Sequence, residues 1–316
     1  MVILLLSNKW DVSTDYIVEN LRKRDCNFLR INTEDLINSN SITSFPKFSF
    51  WIKDKKIDLA KNLRSVLLRR PGRPFEFAET EKPPSSTLRY ITDQWHSFIS
   101  GLEAIPDVLW INDPHKNSFA EMKINQLAYA ERLGFRIPKT YVTNNKKELS
   151  EFAESCKNKL VAKALYSPLI QHDEKEFFIF SNRLSDFSNI DEKELSLAPT
   201  IFQEEIQNKT DYRVTIVGSS CFSAEITHKD KSVLDWRKIK DGVQIKACTL
   251  PVDITEKCIR YVSKLGLVFG AIDLVKSNDN YYFLEINPNG EWGWLQKNPG
   301  LPIAETITDQ LEKVDT

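Results

Sequence analysis

The run Gly270-Ala271-Ile272-Asp273-Leu274-Val275, followed by Phe283-Leu284-Glu285-Ile286-Asn287-Pro288-Asn289-Gly290, says most about how this chain is built. It reads as two apolar strands, over 268–275 and 281–287, joined by a polar turn. Side chains alternate along a strand, so Glu285 and Asn287 leave the same face. Asp273 joins them if it stands opposite Glu285 in an antiparallel pair. Opposed residues in a hairpin keep a constant sum, so Ser277 would then face Tyr281 across a three-residue loop, Asn278-Asp279-Asn280. A two-residue loop would set Asp273 against Leu284. The expectation is therefore a three-residue turn, or one longer by an even number. Two adjacent carboxylates repel unless a cation neutralises them. Magnesium takes a few protein oxygens and completes its octahedron with phosphate and water. Asp273, Glu285 and Asn287 are thus candidate ligands; the plain alternative is the solvated face of an ordinary hairpin.

Working outward, residues 199–316 read as an antiparallel sheet with helices. Strands over 212–217 and 221–227 flank Gly218-Ser219, and Asp253 and Glu256 have capping-box spacing before a helix that Gly266 closes. Residues 1–113 alternate strand and helix, with strands over 2–6, 28–31, 65–68 and 108–111 and helices over 14–24 and 88–102. That is a βαβ beginning and favours a parallel, helix-covered sheet, with a hairpin over 48–59. Residues 114–198 read as a small α+β unit, with a helix over 118–133 closed by Gly134. The fold class is α/β (α+β) in three parts.

Composition narrows the function classes. A length of 316 residues suits two or three packed units rather than one core. Hydrophobic residues at 41% and charged residues at 28% belong to a globular protein. The 43 Lys plus Arg nearly balance the 44 Asp plus Glu, so no global field favours nucleic acid, and an anionic ligand needs a local site. Cys26, Cys156, Cys221, Cys248 and Cys258 are odd in number and scattered, which points to reduced thiols. The opening apolar run is too short for a membrane span and lacks a basic flank, leaving the cytoplasm as the expected address. The four histidines lack metal-ligand spacing, and neither a Walker A loop nor a GxSxG elbow occurs.

The spaced Asp273 and Glu285-x-Asn287-Pro288 resemble the C-terminal signature of ATP-grasp ligases. With Leu234-Asp235-Trp236-Arg237, Gly266-Leu267-Val268-Phe269-Gly270 and Glu291-Trp292-Gly293-Trp294, the chain is similar to the peptide-cyclising ligases of the microviridin type, the graspetide maturases. The resemblance runs over 199–311; before it, Leu68-Arg69-Arg70-Pro71 is the main landmark. It implies an ATP-grasp fold: an N-terminal pre-ATP-grasp domain (1–113), a small central domain (114–198) and a C-terminal domain (199–316). ATP and magnesium, as two ions, are the cofactors it implies. The implied partner is a precursor peptide with a leader segment, with a homodimer left open and neither nucleic acid nor membrane expected.

The same resemblance distributes roles. Lys123 and Lys163 take the places of the two lysines near the phosphates, and Lys163 interrupts an otherwise apolar strand. Gln203, Glu204, Glu205 and Ile206 look like the hinge that meets adenine, and Asp211 like the ribose contact. Arg213 and Arg237, always charged and able to chelate two oxygens, resemble the arginines that hold an acyl phosphate or a substrate carboxylate. Arg69, Arg70 and Trp292 are substrate candidates, the tryptophan and its neighbour Trp294 as lining of a groove. Surface salt bridges and solvated strand ends would explain the charged residues without function.

The implied reaction joins Asp or Glu side chains of the peptide to Ser, Thr or Lys side chains as ester or amide rings, through an acyl phosphate. A second reading keeps the chemistry but joins an amino acid to a small molecule or protein tail, as glutathione synthetases and glutamate ligases do. A third is a non-catalytic, nucleotide-gated peptide binder, which has no need of all three of Asp273, Glu285 and Asn287.

Overall fold

The computed structural model describes residues 1–38, 49–52, 55–76, 82–166, 169–172, 175–178, 182–184, 190–228, 234–236 and 242–313. The chain opens with β1 (Val2–Ser7), α1 (Val12–Lys23) and β2 (Phe28–Asn32). The hairpin β3 (Ser49–Ile52) and β4 (Lys55–Asp58) forms its own two-stranded sheet. Then follow α2 (Leu59–Asn62), β5 (Leu63–Leu68), α3 (Ser85–Gly101) and β6 (Leu109–Ile111). Strands β2, β1, β5 and β6 lie side by side in that order, all parallel. The continuous apolar run of β1 is explained by its burial on both faces. Ile3 and Leu5 enter one core with Ile17 and Leu21; Leu4 and Leu6 enter another with Val66, Ile99 and Leu102.

The expected helix over 118–133 is two helices, α4 (Pro114–Glu121) and α5 (Lys123–Arg132). Asp113 caps the first, accepting a hydrogen bond from Lys116 N–H at 3.0 Å, with Pro114 in the first turn where its missing donor costs nothing. Met122, extended at φ −73° and ψ 107°, breaks the run and puts Lys123 at the first position of α5. Gly134 follows at φ +80°, a conformation glycine adopts without strain.

Next come β7 (Thr140–Thr143), α6 (Lys146–Ser155), β8 (Leu160–Lys163), β9 (Leu169–His172), β10 (Lys175–Phe178), β11 (Asn182–Leu184), α7 (Glu192–Ser196) and β12 (Thr200–Glu204). Strands β11, β8, β12 and β7 form one antiparallel sheet. Strand β12, expected to open the C-terminal part, thus completes the small sheet, and the change of sheet falls after Glu204. Its Phe202 packs with Leu149, Ala153 and Leu160 under α6.

The last part holds β13 (Thr210–Val217), β14 (Ser220–Thr227), β15 (Gln244–Cys248), α8 (Val252–Lys264), β16 (Phe269–Ser277), β17 (Asn280–Asn287), α9 (Gly293–Lys297) and α10 (Ile303–Glu312). The sheet order is β15-β14-β13-β16-β17, antiparallel throughout. Helix α8 lays Ile254, Cys258 and Val262 on it, as the apolar spacing predicts, and Tyr261 joins them. Its capping box does not form: Pro251 precedes the helix, and Asp253 pairs with Lys257 at 3.6 Å instead. Helix α10 returns to the first sheet, packing Ile307 and Leu311 with Ile3, Ile17 and Leu21.

Candidate active site

Strands β16 and β17 place Asp273 directly opposite Glu285 and Ala271 opposite Asn287. The turn between them has two residues, because Ser277 faces Asn280; the three-residue loop does not form. Asn278 and Asp279 both adopt positive φ, 47° and 60°, the hairpin turn whose twist suits flanking strands. Simple counting would then put Asp273 against Leu284. A β-bulge between Asp273 and Leu274 takes up the extra residue, which restores the opposition.

The row extends across four elements. In β13, Arg213 stands opposite Asp273, and its Nη1 lies 3.2 Å from Asp273 Oδ1. On the other side Lys123, at the start of α5, sets Nζ 3.4 Å from Glu285 Oε2. All four side chains are largely shielded: 7% and 21% exposed for Arg213 and Asp273, 22% and 18% for Lys123 and Glu285. Two cations thus offset two carboxylates that would otherwise repel. Among the described residues no cluster of three or more His, Cys, Asp or Glu converges. Two carboxylates and an amide oxygen fit a magnesium that draws its other oxygens from phosphate and water, and do not fit an all-protein cage.

Beside this row opens a cleft between the central and C-terminal sheets. Lys163, Gln203, Glu204, Glu205, Ile206, Asp211, Arg213, Asp273 and Glu285 all line it, over apolar Val161, Leu274 and Leu284. The buried Gln203 turns its amide to Thr140 Oγ1, 3.0 Å away. Glu205 is gripped by Arg183 through Nε at 2.8 Å and Nη2 at 2.5 Å, and its backbone N–H donates to Lys159 O. Burial pushes the Asp211 carboxyl above its ordinary range, against the pull of the Lys209 ammonium paired with it. Sequence reasoning missed Lys209; its position two residues before Asp211, just ahead of β13, was the available signal. Lys123 and Asn287 stand outside the cleft lining.

Two of the three substrate candidates, Arg69 and Trp292, are buried. Arg69 is buried, 3% exposed, and lies 3.1 Å from Asp11 through Nε and 3.1 Å from Glu291 through Nη2. Its Nη1 donates to Gly290 O at 2.9 Å. Trp292 is wholly buried, with the Arg69 guanidinium 5.5 Å from its ring centre. Both residues join the N-terminal sheet to the loop after Asn287, and neither lines the cleft. Ser13 Oγ donates to Glu291 and accepts from Gly293 N–H at 3.0 Å, closing the same network. Burial alone would raise the Glu291 carboxyl, but Arg69, Ser13, the Gly293 amide and Arg70 together hold it down at about 2. Arg70 remains half-exposed, with Nη1 2.7 Å from Glu291. Trp294 packs against two residues of the cleft lining: its ring pairs with Trp236 at 5.5 Å, and the Arg213 guanidinium lies 6.0 Å from its centre. Arg237 lies outside the described residues.

Comparison with known proteins agrees with this geometry. Residues 120–311 match the family model of the RimK-like ATP-grasp domain, and the chain belongs to that family. Its structure is similar to that of the macrocyclase MdnC of Microcystis aeruginosa bound with precursor peptide MdnA, with a TM-score of 0.84, 26% identity and coverage of 98% of this chain and 99% of that one. It is similar too to a RiPP-associated ATP-grasp ligase of Chryseobacterium gregarium in complex with ADP and a leader and core peptide, with a TM-score of 0.84, 27% identity and coverage of 98% and 96%. A curated relative, tetrahydromethanopterin:alpha-L-glutamate ligase of Methanocaldococcus jannaschii, is 24% identical over 78 residues. That match spans 24% of this chain and 27% of the relative.

Proposed function

We propose that this protein is an ATP-dependent macrocyclase that closes ester or amide rings between Asp or Glu and Ser, Thr or Lys side chains of a ribosomally made precursor peptide. The observation that carries the reading is the row Arg213, Asp273, Glu285, Lys123, the first three of which line one cleft with Lys163, Asp211 and residues 203–206. The likeness to two peptide-bound ligases over nearly the whole chain supports a peptide as substrate. Such a peptide would carry a leader segment.

In the first step a carboxylate oxygen of the peptide attacks the γ-phosphorus of ATP, and the bond to the β-phosphate bridge oxygen breaks, releasing ADP. In the second an amine or hydroxyl attacks the acyl carbon, loses its proton, and inorganic phosphate departs. Glu204, Glu205 and Ile206 meet the adenine, Asp211 the ribose, and Lys163 and Lys123 the phosphates. Arg213, fixed against Asp273, receives the oxygens of the acyl phosphate in a site already organised for charge. Arg237 shares that task. Asp273, Glu285 and Asn287 would hold magnesium, as two ions, which when bound neutralises charge spreading over the transferring phosphoryl group.

The partial match to a glutamate ligase favours a second reading, in which a free amino acid is joined to a small molecule or protein tail. Mass spectrometry separates the two. A short peptide encoded beside this protein is incubated with it, ATP and magnesium. Successive losses of one water mass, absent with Asp273→Ala or Glu285→Ala protein, support macrocyclisation. An unchanged peptide, with ADP formed only when free amino acids are supplied, supports the second reading. No described helix is long and apolar enough to cross a membrane, and the five cysteines are free thiols; action in the cytoplasm and a homodimer belong to the same proposal.

A further inference from the structure

We infer that Gln126 is a positioning residue of this site: one buried amide fixes both the strand carrying Glu285 and Asn287 and the helix start carrying Lys123. The inference rests on the metal role proposed above. Gln126 lies in α5, three residues after Lys123, and is 3% exposed. Its Nε2 donates to Ile286 O at 2.9 Å, and its Oε1 accepts from Ile286 N–H at 3.2 Å. Ile286 sits between Glu285 and Asn287 in β17, the outermost strand of its sheet. A backbone donor and acceptor on that outer edge have no neighbouring strand, and the Gln126 amide supplies the missing pair.

The same Nε2 donates to Ala120 O at 2.7 Å. That carbonyl belongs to the last turn of α4, where the break at Met122 ends the ladder and leaves carbonyls in need of donors. Gln126 is itself held, since Tyr261 Oη donates to its backbone oxygen at 3.0 Å from the core of α8. Strand and helix break are thereby tied to one rigid point. From that point Lys123 reaches Glu285 at 3.4 Å. Nothing in the sequence distinguishes this glutamine, because a polar residue in an amphipathic helix ordinarily faces water.

A general stabilising role predicts a lower melting temperature with the metal site intact. A positioning role predicts a weakened metal site in a protein that still folds. The test titrates Mn²⁺ into the full-length protein with ADP, following the free ion by electron paramagnetic resonance. ADP binding without metal is measured separately by calorimetry. In Gln126→Met the Mn²⁺ dissociation constant should rise on the order of tenfold, the scale of about one buried hydrogen bond or two, with metal-free ADP affinity falling by less because Lys163 still holds the phosphates. Should that variant fail to fold, Gln126→Glu keeps the acceptor for Ile286 N–H, loses both donors, and should show the same direction. Mn²⁺ affinity equal to wild type in a folded variant overturns the inference. Wild-type protein that binds no Mn²⁺ beside ADP, or a Glu285→Ala protein that binds it normally, overturns the metal reading itself.

Discussion

Arg213 and Asp273 stand opposite each other in neighbouring strands, with Nη1 3.2 Å from Oδ1, and both line the cleft. The guanidinium is only 7% exposed, so replacing it by Met leaves Asp273 without this cation in a poorly hydrated place. Arg213→Met should lower ADP release on the order of 10²-fold, the scale of removing one preorganised charge from a reacting site. Arg213→Lys should recover only part of it, because an ammonium lacks the planar fork. ADP formation by a coupled assay with the peptide substrate measures both.

Neighbouring arginines 69 and 70 should behave oppositely. Arg69 is buried between Asp11, whose side chain is 0% exposed, and Glu291, while the Arg70 side chain is 52% exposed. Breaking a buried pair from one side costs about 3–5 kcal/mol, whereas an exposed one is worth about 0–1 kcal/mol. Arg69→Met should therefore shift the urea midpoint strongly and Arg70→Met hardly at all. Equal small shifts would contradict the network described for Arg69.

Acid should weaken the same junction. Glu291 has its folded-state pKa held at about 2, below the ordinary 4.5. A depressed acid contributes stability above its unfolded value and loses it as pH falls through the folded one. The contribution should be complete above pH 4.5 and decline toward pH 2. Glu291→Gln should flatten the melting-temperature profile across that window and leave its shape at neutral pH unchanged.

Lys209 and Asp211 offer a contrast within the cleft. Burial raises the Asp211 carboxyl, so its ionised form is held at a cost that the paired Lys209 offsets. Removing one partner strands the other; removing both removes the cost. The double variant Lys209→Met, Asp211→Asn should melt at or above the wild-type temperature while binding ATP on the order of tenfold more weakly, a trade of function for stability. Loss of stability without loss of affinity would count against Asp211 as a nucleotide contact.

The architecture was legible where one period or one pattern settled it. The apolar run over 2–6 can only be a strand buried on both sides, and β1 feeds alternate residues into two cores. The pairing of Asp273 with Glu285 was also readable, but not by the route that predicted it. Two residues in αL conformation made the short turn, and a bulge corrected the register, a compensation invisible to residue counting. Met122 carries no helix-breaking chemistry, so nothing in its type announces the break before Lys123, which the contacts of Gln126 with Ala120 and Ile286 span. Trp292 and Trp294 are indistinguishable in composition; only the fold turns one into the core and the other to Arg213.

Gly290 couples these features at one atom. A Cβ there would lie 2.5 Å from Ala271 Cβ, 3.1 Å from Asn287 O and 3.2 Å from Asn287 Cβ. None of these can swing aside, since Ala271 is fixed in β16 and Asn287 ends β17 opposite it. The Gly290 N–H also donates to Asn287 O at 3.1 Å, and its carbonyl accepts from Arg69. An added methyl must push Asn287 off its strand position or lift the loop from Arg69, and overpacking of this kind costs about 1–3 kcal/mol. Gly290→Ala should therefore raise the magnesium concentration that half-activates ADP formation, by more than its fall in melting temperature would suggest. Gly101 meets no atom within 4 Å of the corresponding position. Gly101→Ala, in α3, should change neither quantity, and an identical response of the two variants would show that Asn287 takes no part in holding the metal.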